Sequence, residues 1–251
     1  MPVHLIDLQK RPDLAGPADA LVASVWPIFV LKDQVAGRYW HQLYSMPVAA
    51  FQTVAVETID TVEHVVGFAN AIPFAWDGLE TSLPDEGWDA VLRNGMECLL
   101  KGGRANTLSA LSITVRPDKR GSGLAERQIE AMKASAAAAG LNAMVAPVRP
   151  TRKAHYPLQP FEEYCSWRRP DGLPFDPWIR THQRLGAHIV KIAPRSMVIE
   201  APVEAWESWT GMTFPATGRY WVSGALAPIE IDLDTGRGLY VEPNLWMRYF
   251  L

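Results

Sequence analysis

Apolar and polar residues alternate along the chain in a way that predicts both strands and helices. The predicted strands combine β-branched residues with alternating polarity, and they cover residues 51–59, 65–72, 106–115, 143–148, 188–192, 197–201 and 238–241. The predicted helices carry apolar residues on one face, and they cover residues 17–29, 39–44, 88–100, 124–139 and 177–185. Because a short polar stretch separates the first two strands, they are expected to form an antiparallel hairpin.

Two helices have recognisable ends. Asp176 stands at the N-cap position and Pro177 in the first turn of the helix over 177–185, which Gly186 ends. Gly140 similarly ends the helix over 124–139. The pair Pro194-Arg195 predicts a turn between the two strands that follow.

Long connecting segments separate these elements, but no shift in composition marks a linker. We therefore expect a single domain over residues 1–251, with long loops at about 74–104 and 149–176 and a C-terminal extension from about residue 202. The aromatic and charged stretch 155–169 is either a substrate lid or a rigid structural loop. The extension either completes the sheet or covers a dimer face, so a homodimer remains open.

Composition excludes several classes of protein. The 251 residues include 24 Lys and Arg against 27 Asp and Glu, which excludes a strongly basic nucleic-acid-binding protein. Neither a signal peptide nor a stretch long and apolar enough to cross a membrane is present, so no membrane partner is expected. Cys98 and Cys165 form no CxxC pair and the six histidines no ligand motif, so no metal is expected. Two distant cysteines fit a reducing, cytoplasmic location.

The clearest chemical signal is a glycine-rich turn between the strand that ends at Val115 and the following helix. Glycine lacks a Cβ atom, so a tight turn there exposes backbone N–H groups at a helix N-terminus, where a phosphate binds readily. Nearby Arg116, Lys119 and Arg120 add positive potential. The residues expected to bind the anion are Arg120, Gly121, Ser122, Gly123, Leu124 and Ala125.

Two familiar phosphate-binding patterns do not fit this turn. A P-loop requires Gly-Lys-Ser/Thr, but Gly123 is followed by Leu124. A dinucleotide fingerprint requires Gly or Ala where Glu126 stands. The turn instead resembles the acyl-CoA loop of the GCN5-related N-acetyltransferase superfamily, Arg/Gln-x-x-Gly-x-Gly/Ala, whose fixed positions Arg120, Gly123 and Ala125 occupy. An ordinary strand-to-helix turn is the alternative interpretation.

A second segment supports the resemblance. Members of that superfamily often carry a late helix ending Tyr-x-x-x-Gly-Phe, and here the corresponding residues are His182, Gly186 and Ala187. The family's tyrosine often protonates the departing CoA thiolate. His182 would take that role, because an unperturbed imidazole with a pKa of about 6.5 suits acid–base chemistry near neutral pH. Alternatively, His182 only packs against its helix face.

The resemblance implies a fold of the α/β (α+β) class, with a mixed, splayed central sheet flanked by helices. The splay would lie between strands 108–115 and 143–148, with acetyl-CoA as co-substrate inside it. A backbone N–H near Ile113 or Val115 would bond the acyl carbonyl, on which negative charge develops in the transition state. An acceptor nucleophile would then attack the thioester directly.

Three functions follow from this resemblance. The first is an acetyl-CoA-dependent acyltransferase that N-acetylates a small-molecule amine. The second decarboxylates malonyl-CoA or transfers an acyl group to a carrier-protein thiol, with His182 and Thr151 as catalytic residues. The third only binds CoA.

The catalytic base is not assigned by the sequence. Four loop carboxylates are candidates, namely Asp77, Glu80, Glu162 and Glu163. A nucleophilic role for Cys165 would require a histidine partner and a perturbed pKa.

Overall fold

A computed structural model describes residues 3–251, whose strands join into one mixed sheet with helices on both faces. The strands are β1 (Val3–Asp7), β2 (Thr53–Ile59), β3 (Val62–Phe74), β4 (Thr107–Val115), β5 (Ala143–Val148), β6 (His188–Pro202), β7 (Gly218–Tyr220), β8 (Ile229–Asp232) and β9 (Arg237–Phe250). The helices are α1 (Ala15–Val25), α2 (Gln34–Tyr39), α3 (Gly87–Leu100), α4 (Leu124–Ala138), α5 (Phe161–Ser166), α6 (Pro177–Arg184) and α7 (Val203–Thr210). The fold class predicted from the sequence is confirmed.

The sheet follows the order β1-β2-β3-β4-β5-β9-β8-β7, and β6 pairs with β9. Every neighbouring pair is antiparallel except β4 and β5, which run parallel. Their pairing covers only Thr107–Ser109 against Ala143–Val145. Beyond Ser109 and Val145 the two strands separate, so the predicted splay lies where the resemblance places it.

Alternating side chains on the central strands direct the helices to opposite faces. Met144 packs with Ile129 and Met132 of α4 in one cluster, whereas Val145, its neighbour on β5, packs with Val91 of α3 in another. Successive side chains of a strand point to opposite faces, so this alternation gives the sheet two covered faces. Within residues 3–251, no helix is long and apolar enough to cross a bilayer.

The C-terminal half differs from the sequence prediction in two respects. Strands 188–192 and 197–201 form one continuous strand, β6, because the chain passes through Pro194 in a register irregularity between Ala193 and Met197 instead of turning. The N–H of Arg195 there donates to the Asp85 carbonyl, a partner that local sequence does not indicate. The extension adds α7, β7 and β8 and lengthens the predicted strand 238–241 to β9.

The segment 149–176 is largely a packed structure. It contains α5 and an aromatic cluster in which Tyr156, Tyr164, Trp167 and Phe175 lie with ring centroids 5.1 to 6.1 Å apart. Edge-to-face contacts of this kind hold a segment in one conformation. The packing agrees with the rigid-loop interpretation of residues 155–169.

Two buried carboxyl groups meet between α2 and α3. Asp33 and Asp89 are 1% and 6% exposed and lie close enough that the charge of one opposes the ionisation of the other, so Asp89 favours its protonated form. Burial, with Asp33 beside it, raises the pKa of Asp89 well above its ordinary value of about 4. The stability that this proton provides is complete below the unfolded-state pKa and is lost as the pH rises through the folded-state pKa.

We therefore expect Asp89→Asn to stabilise the protein in alkali, since the amide reproduces the protonated carboxyl without an ionisation. At about pH 9 the variant should melt at least about 3 °C above the native protein, and near pH 4 the two should nearly coincide. Differential scanning calorimetry at both pH values measures the effect, with the exposed Asp234→Asn as control. A difference in melting temperature that is independent of pH would contradict the assignment.

Candidate functional site

A cavity of about 1090 Å³ opens where β4 and β5 separate. Its lining includes residues of the glycine-rich turn, α6, α1, the start of α3 and β9. The cavity therefore brings together elements that lie far apart in the sequence. A large pocket with a few polar groups converging on it is the usual form of a small-molecule site.

The glycine-rich turn borders this cavity through Arg120, Gly121, Leu124 and Ala125. Gly121 and Gly123 have φ values of +76° and +80°, a conformation that favours glycine, and a Cβ atom on either would meet only open space. No side chain of the turn fills its own concavity, as the predicted anion site requires.

The turn presents an uninterrupted series of free backbone donors. The first helical bond of α4 runs from the Arg127 N–H to the Gly123 carbonyl, and the N–H groups of residues 121–126 find no acceptor among residues 3–251. Orphan donors at a helix N-terminus, together with the helix dipole, bind phosphate oxygens.

The charge around the turn is smaller than the sequence predicts. The Lys119 ammonium lies 2.6 Å from Glu57, and Arg116 pairs with Glu57 and Asp118 at 3.5 and 2.6 Å. The bond from Lys119 holds the pKa of Glu57 below its ordinary value. Arg120 is thus the basic side chain of the three that stays without a carboxylate partner within the described chain.

The free edge of β4 supplies further donors. The N–H of Arg116 donates to the Val66 carbonyl of the β3 side. N–H groups alternate between the two edges of a strand, so those of Val115 and Ile113 point toward the splay. Both residues line the cavity. They lie where a hydrogen bond to an acyl carbonyl was predicted.

His182 lies on α6, borders the cavity and is 3% exposed. The Tyr249 hydroxyl of β9 is hydrogen-bonded to its Nδ1 over 2.6 Å, and the Trp178 ring meets it edge-on with the ring centroids 4.5 Å apart. Burial lowers the pKa of His182 to about 3. A desolvated imidazole favours its uncharged form, so His182 is a neutral hydrogen-bonding group near neutral pH. Ala187, at the position of the family's Phe, is buried, and its N–H donates to the His182 carbonyl.

Thr151 also lines the cavity, just past the end of β5. Its N–H and that of Arg152 donate to the Asp176 carboxylate at 3.3 and 2.8 Å. Asp176 also accepts the N–H groups of Trp178 and Ile179 and so caps α6, as predicted. One buried carboxylate thus fixes Thr151 and the helix of His182 relative to each other.

The far wall of the cavity contains a buried ion pair. Glu242 of β9 is fully buried and accepts both Arg149 Nε, at 2.9 Å, and the Tyr240 hydroxyl, at 2.6 Å. Asn244 donates to the same carboxylate over 3.2 Å. Arg149 and Glu242 are 93 residues apart in sequence, so no local pattern indicates their contact.

The four loop carboxylates considered as bases lie elsewhere. Asp77 bonds to Ser82, and Glu80 pairs with His188 and Arg248 outside the cavity. Glu162 and Glu163 belong to the exposed face of α5. The carboxylates that do line the cavity are Asp19, Glu126 and Glu242.

Cys165 does not have the environment of a nucleophile. It is 6% exposed within the aromatic cluster, and burial raises the pKa of its thiol to about 12. A thiol in this state is unreactive at neutral pH. Residues 3–251 hold no cluster of three metal-ligating side chains.

Comparisons with known proteins agree with this geometry. No protein-family model matches the chain. The arginine N-acetyltransferase avaD of Aspergillus versicolor is 35% identical over 249 residues, which cover 90% of this chain and 85% of the relative. The loading GNATL domain of CurA from Lyngbya majuscula is 17% identical with a TM-score of 0.61, over 100% of this chain and 98% of that domain. The GphF GNAT-like decarboxylase, solved in complex with isobutyryl-CoA, is 17% identical with a TM-score of 0.53, over 100% of this chain and 99% of that chain. These two structures share the fold.

Proposed function

This chain belongs to the GCN5-related N-acetyltransferase superfamily, and from that premise we propose that the amine it acetylates is arginine or a close cationic relative of arginine. The protein is an acetyl-CoA-dependent N-acetyltransferase of a small-molecule amine. The arginine specificity named for the relative at 35% identity supports the cationic acceptor. The single observation that carries the assignment of the site is the open cavity in the splay, which is lined by the free backbone donors of the glycine-rich turn and by carboxylates from other elements.

The donor half would hold acetyl-CoA by its diphosphate. In this proposal the N–H groups of residues 121–126 bind the phosphate oxygens, with Arg120 as the nearby free cation. The pantetheine arm then runs along the open edge of β4, and the N–H of Val115 or Ile113 bonds the thioester carbonyl. Because that oxygen gains charge during attack, the donor stabilises the transition state more than the ground state.

The transfer itself exchanges one bond for another. The neutral acceptor nitrogen attacks the thioester carbon, the C–N bond forms, and the C–S bond breaks as the sulfur leaves with the electron pair. The surplus proton of the nitrogen ends on the CoA sulfur, so the products are an amide and free thiol. Since His182 is uncharged, its contribution would be a hydrogen bond from Nε2–H to the leaving sulfur. The Thr151 hydroxyl, on the same cavity, would orient the thioester.

Purified protein mixed with acetyl-CoA and arginine tests the proposal directly. We expect release of free CoA thiol and an acetylated product by mass spectrometry, with agmatine as a second cationic acceptor. Malonyl-CoA without an acceptor is the control for the decarboxylation alternative and should stay unchanged. Absence of product with every cationic amine, together with conversion of malonyl-CoA, would overturn the proposal.

The Tyr249 hydroxyl is expected to fix the tautomer of His182. By donating to Nδ1, it leaves the ring proton on Nε2, where the leaving sulfur would need it. We expect Tyr249→Phe to lower kcat about tenfold, the effect typical of losing such an orienting partner, with little change in acetyl-CoA affinity. Nitrogen-15 NMR of the His182 ring should show a mixture of tautomers in the variant. Tyr220→Phe, which removes a hydroxyl bonded to the Ala216 carbonyl, is the control. An unchanged tautomer with normal kcat would contradict this role.

A further inference from the structure

Asp19 projects from α1 into the acceptor half of the cavity, where three side chains of one short segment hold it. The Tyr44 hydroxyl and Trp40 Nε1 donate to Oδ1 at 2.7 and 3.3 Å. His41 Nε2 lies 3.2 Å from Oδ2. The carboxylate is therefore held in one orientation by groups of which only the imidazole can become charged.

No permanent cation neutralises this carboxylate. Among residues 3–251, no lysine or arginine lies within ion-pair distance of Asp19, whereas Glu242 on the same cavity has Arg149. The His41 ring is 75% exposed, so water screens any charge on it. A carboxylate accepts about four hydrogen bonds, of which three are taken here, and Oδ2 is the less occupied oxygen. Asp19 thus presents an uncompensated negative charge to the cavity.

Aromatic rings border the cavity beside this charge. Trp40 and Trp88 lie stacked, with centroids 6.1 Å apart and planes inclined by 25°, and Trp26 is fixed by a 2.8 Å bond from its Nε1 to Thr114. All three indoles line the cavity, and the Arg149 guanidinium already lies over the Trp26 ring, 5.9 Å from its centroid, so Trp40 is the indole nearest to Asp19 that remains for a ligand. Indole faces attract cations and stack on the flat guanidinium group. Negative charge beside planar aromatic faces is the environment that a guanidinium group requires.

We propose that Asp19 and the adjacent indoles form the subsite for a cationic group of the acceptor, at the end remote from the nitrogen that is acetylated. The ligand class is a guanidinium or ammonium compound with a second amino group. This inference rests on the proposed function, because it concerns the acceptor of that same reaction. Asp19 acts in it as a specificity-determining residue, since it touches the substrate away from the reacting atoms.

Arginine and citrulline provide the sharpest test, because they share the α-amino group and differ in guanidinium against neutral ureido. The native protein is expected to prefer arginine in kcat/KM. Asp19→Asn keeps the acceptors for Tyr44 and Trp40 but removes the charge, so it should lower kcat/KM for arginine about thirtyfold and leave citrulline nearly unchanged. Asp19→Glu should recover part of the preference, and the exposed Glu162→Gln is the charge-matched control.

Binding is measured alongside turnover, so that a failure of the proposed acetyltransferase reaction can be distinguished from a failure of the proposed Asp19 subsite. Calorimetric titration of arginine into the CoA-bound protein should show binding to the native chain that Asp19→Asn weakens, while the thermal shift with acetyl-CoA stays equal. An unchanged arginine-to-citrulline ratio in Asp19→Asn, or equal losses for both acceptors, would overturn the subsite. A native protein that acetylates neutral amines alone would also overturn it but leave the enzymatic activity intact. If no amine is acetylated, the proposed function is overturned, and the titration of arginine into native protein and Asp19→Asn alone shows whether Asp19 binds a cationic group.

Discussion

Replacing Gly123 by arginine is expected to weaken acetyl-CoA binding about a hundredfold while the fold persists. Gly123 is the N-cap of α4, between residues that line the cavity, and its φ of +80° suits glycine alone. A side chain there costs about 1 kcal/mol of backbone strain and adds bulk over the free N–H groups. A positive side chain would by itself favour a diphosphate, so a loss of affinity points to the blocked backbone donors.

Two variants separate bulk from strain in this experiment. Gly123→Ala has the same unfavourable φ with little bulk and should lose far less affinity. Gly140→Arg introduces the same charge just after the C-terminal end of α4, away from the cavity. Gly140 also has a positive φ, +69°, and a Cβ atom there would meet only open space. Its Kd for acetyl-CoA should equal that of the native protein in calorimetric titration. Native affinity in Gly123→Arg would place the nucleotide elsewhere.

Removing the His182 imidazole is expected to lower kcat about a hundredfold, with a much smaller change in the Kd for acetyl-CoA. The loss corresponds to one hydrogen-bond donor aimed at charge that develops in the transition state. His182→Phe keeps a ring against Trp178 but carries no nitrogen, so it should be as slow as His182→Ala. His182→Tyr returns a donor to that helix face and should recover part of the activity.

The pH dependence of kcat gives an independent test of the protonation state of His182. With its pKa lowered to about 3, the native kcat should show no ionisation of this residue near the ordinary value of about 6.5. A fall in kcat and in acetyl-CoA affinity by equal factors on His182→Ala would instead indicate that the ring only packs α6.

The local structure of the glycine-rich turn and of α6 could be predicted from the sequence because its determinants are local. The φ values of Gly121 and Gly123, the N-cap at Asp176 and the position of His182 all lie in short segments whose residue types limit the backbone. The strand and helix on either side of the turn follow from periodicity alone.

The long-range contacts could not be predicted, because their groups meet only in the folded chain. Asp19 contacts Tyr44 across 25 residues, and Tyr249 reaches His182 across 67. The uncharged state of His182 depends on burial, which no pattern of neighbouring residues reports. Likewise Pro194 predicts a turn by type, but the partner at Asp85 keeps β6 continuous.

The parting of β4 and β5 creates a cavity whose lining residues come from separate stretches of the chain. In the proposed binding mode, donor contacts would come from the turn after β4 and from α6, whereas acceptor contacts would come from α1 and the segment before β2. Each set of contacts would therefore be encoded in its own part of the sequence. If the proposed binding mode holds, exchanging the indoles and the carboxylate beside them would change the choice of amine while leaving the affinity for the thioester carrier unaltered.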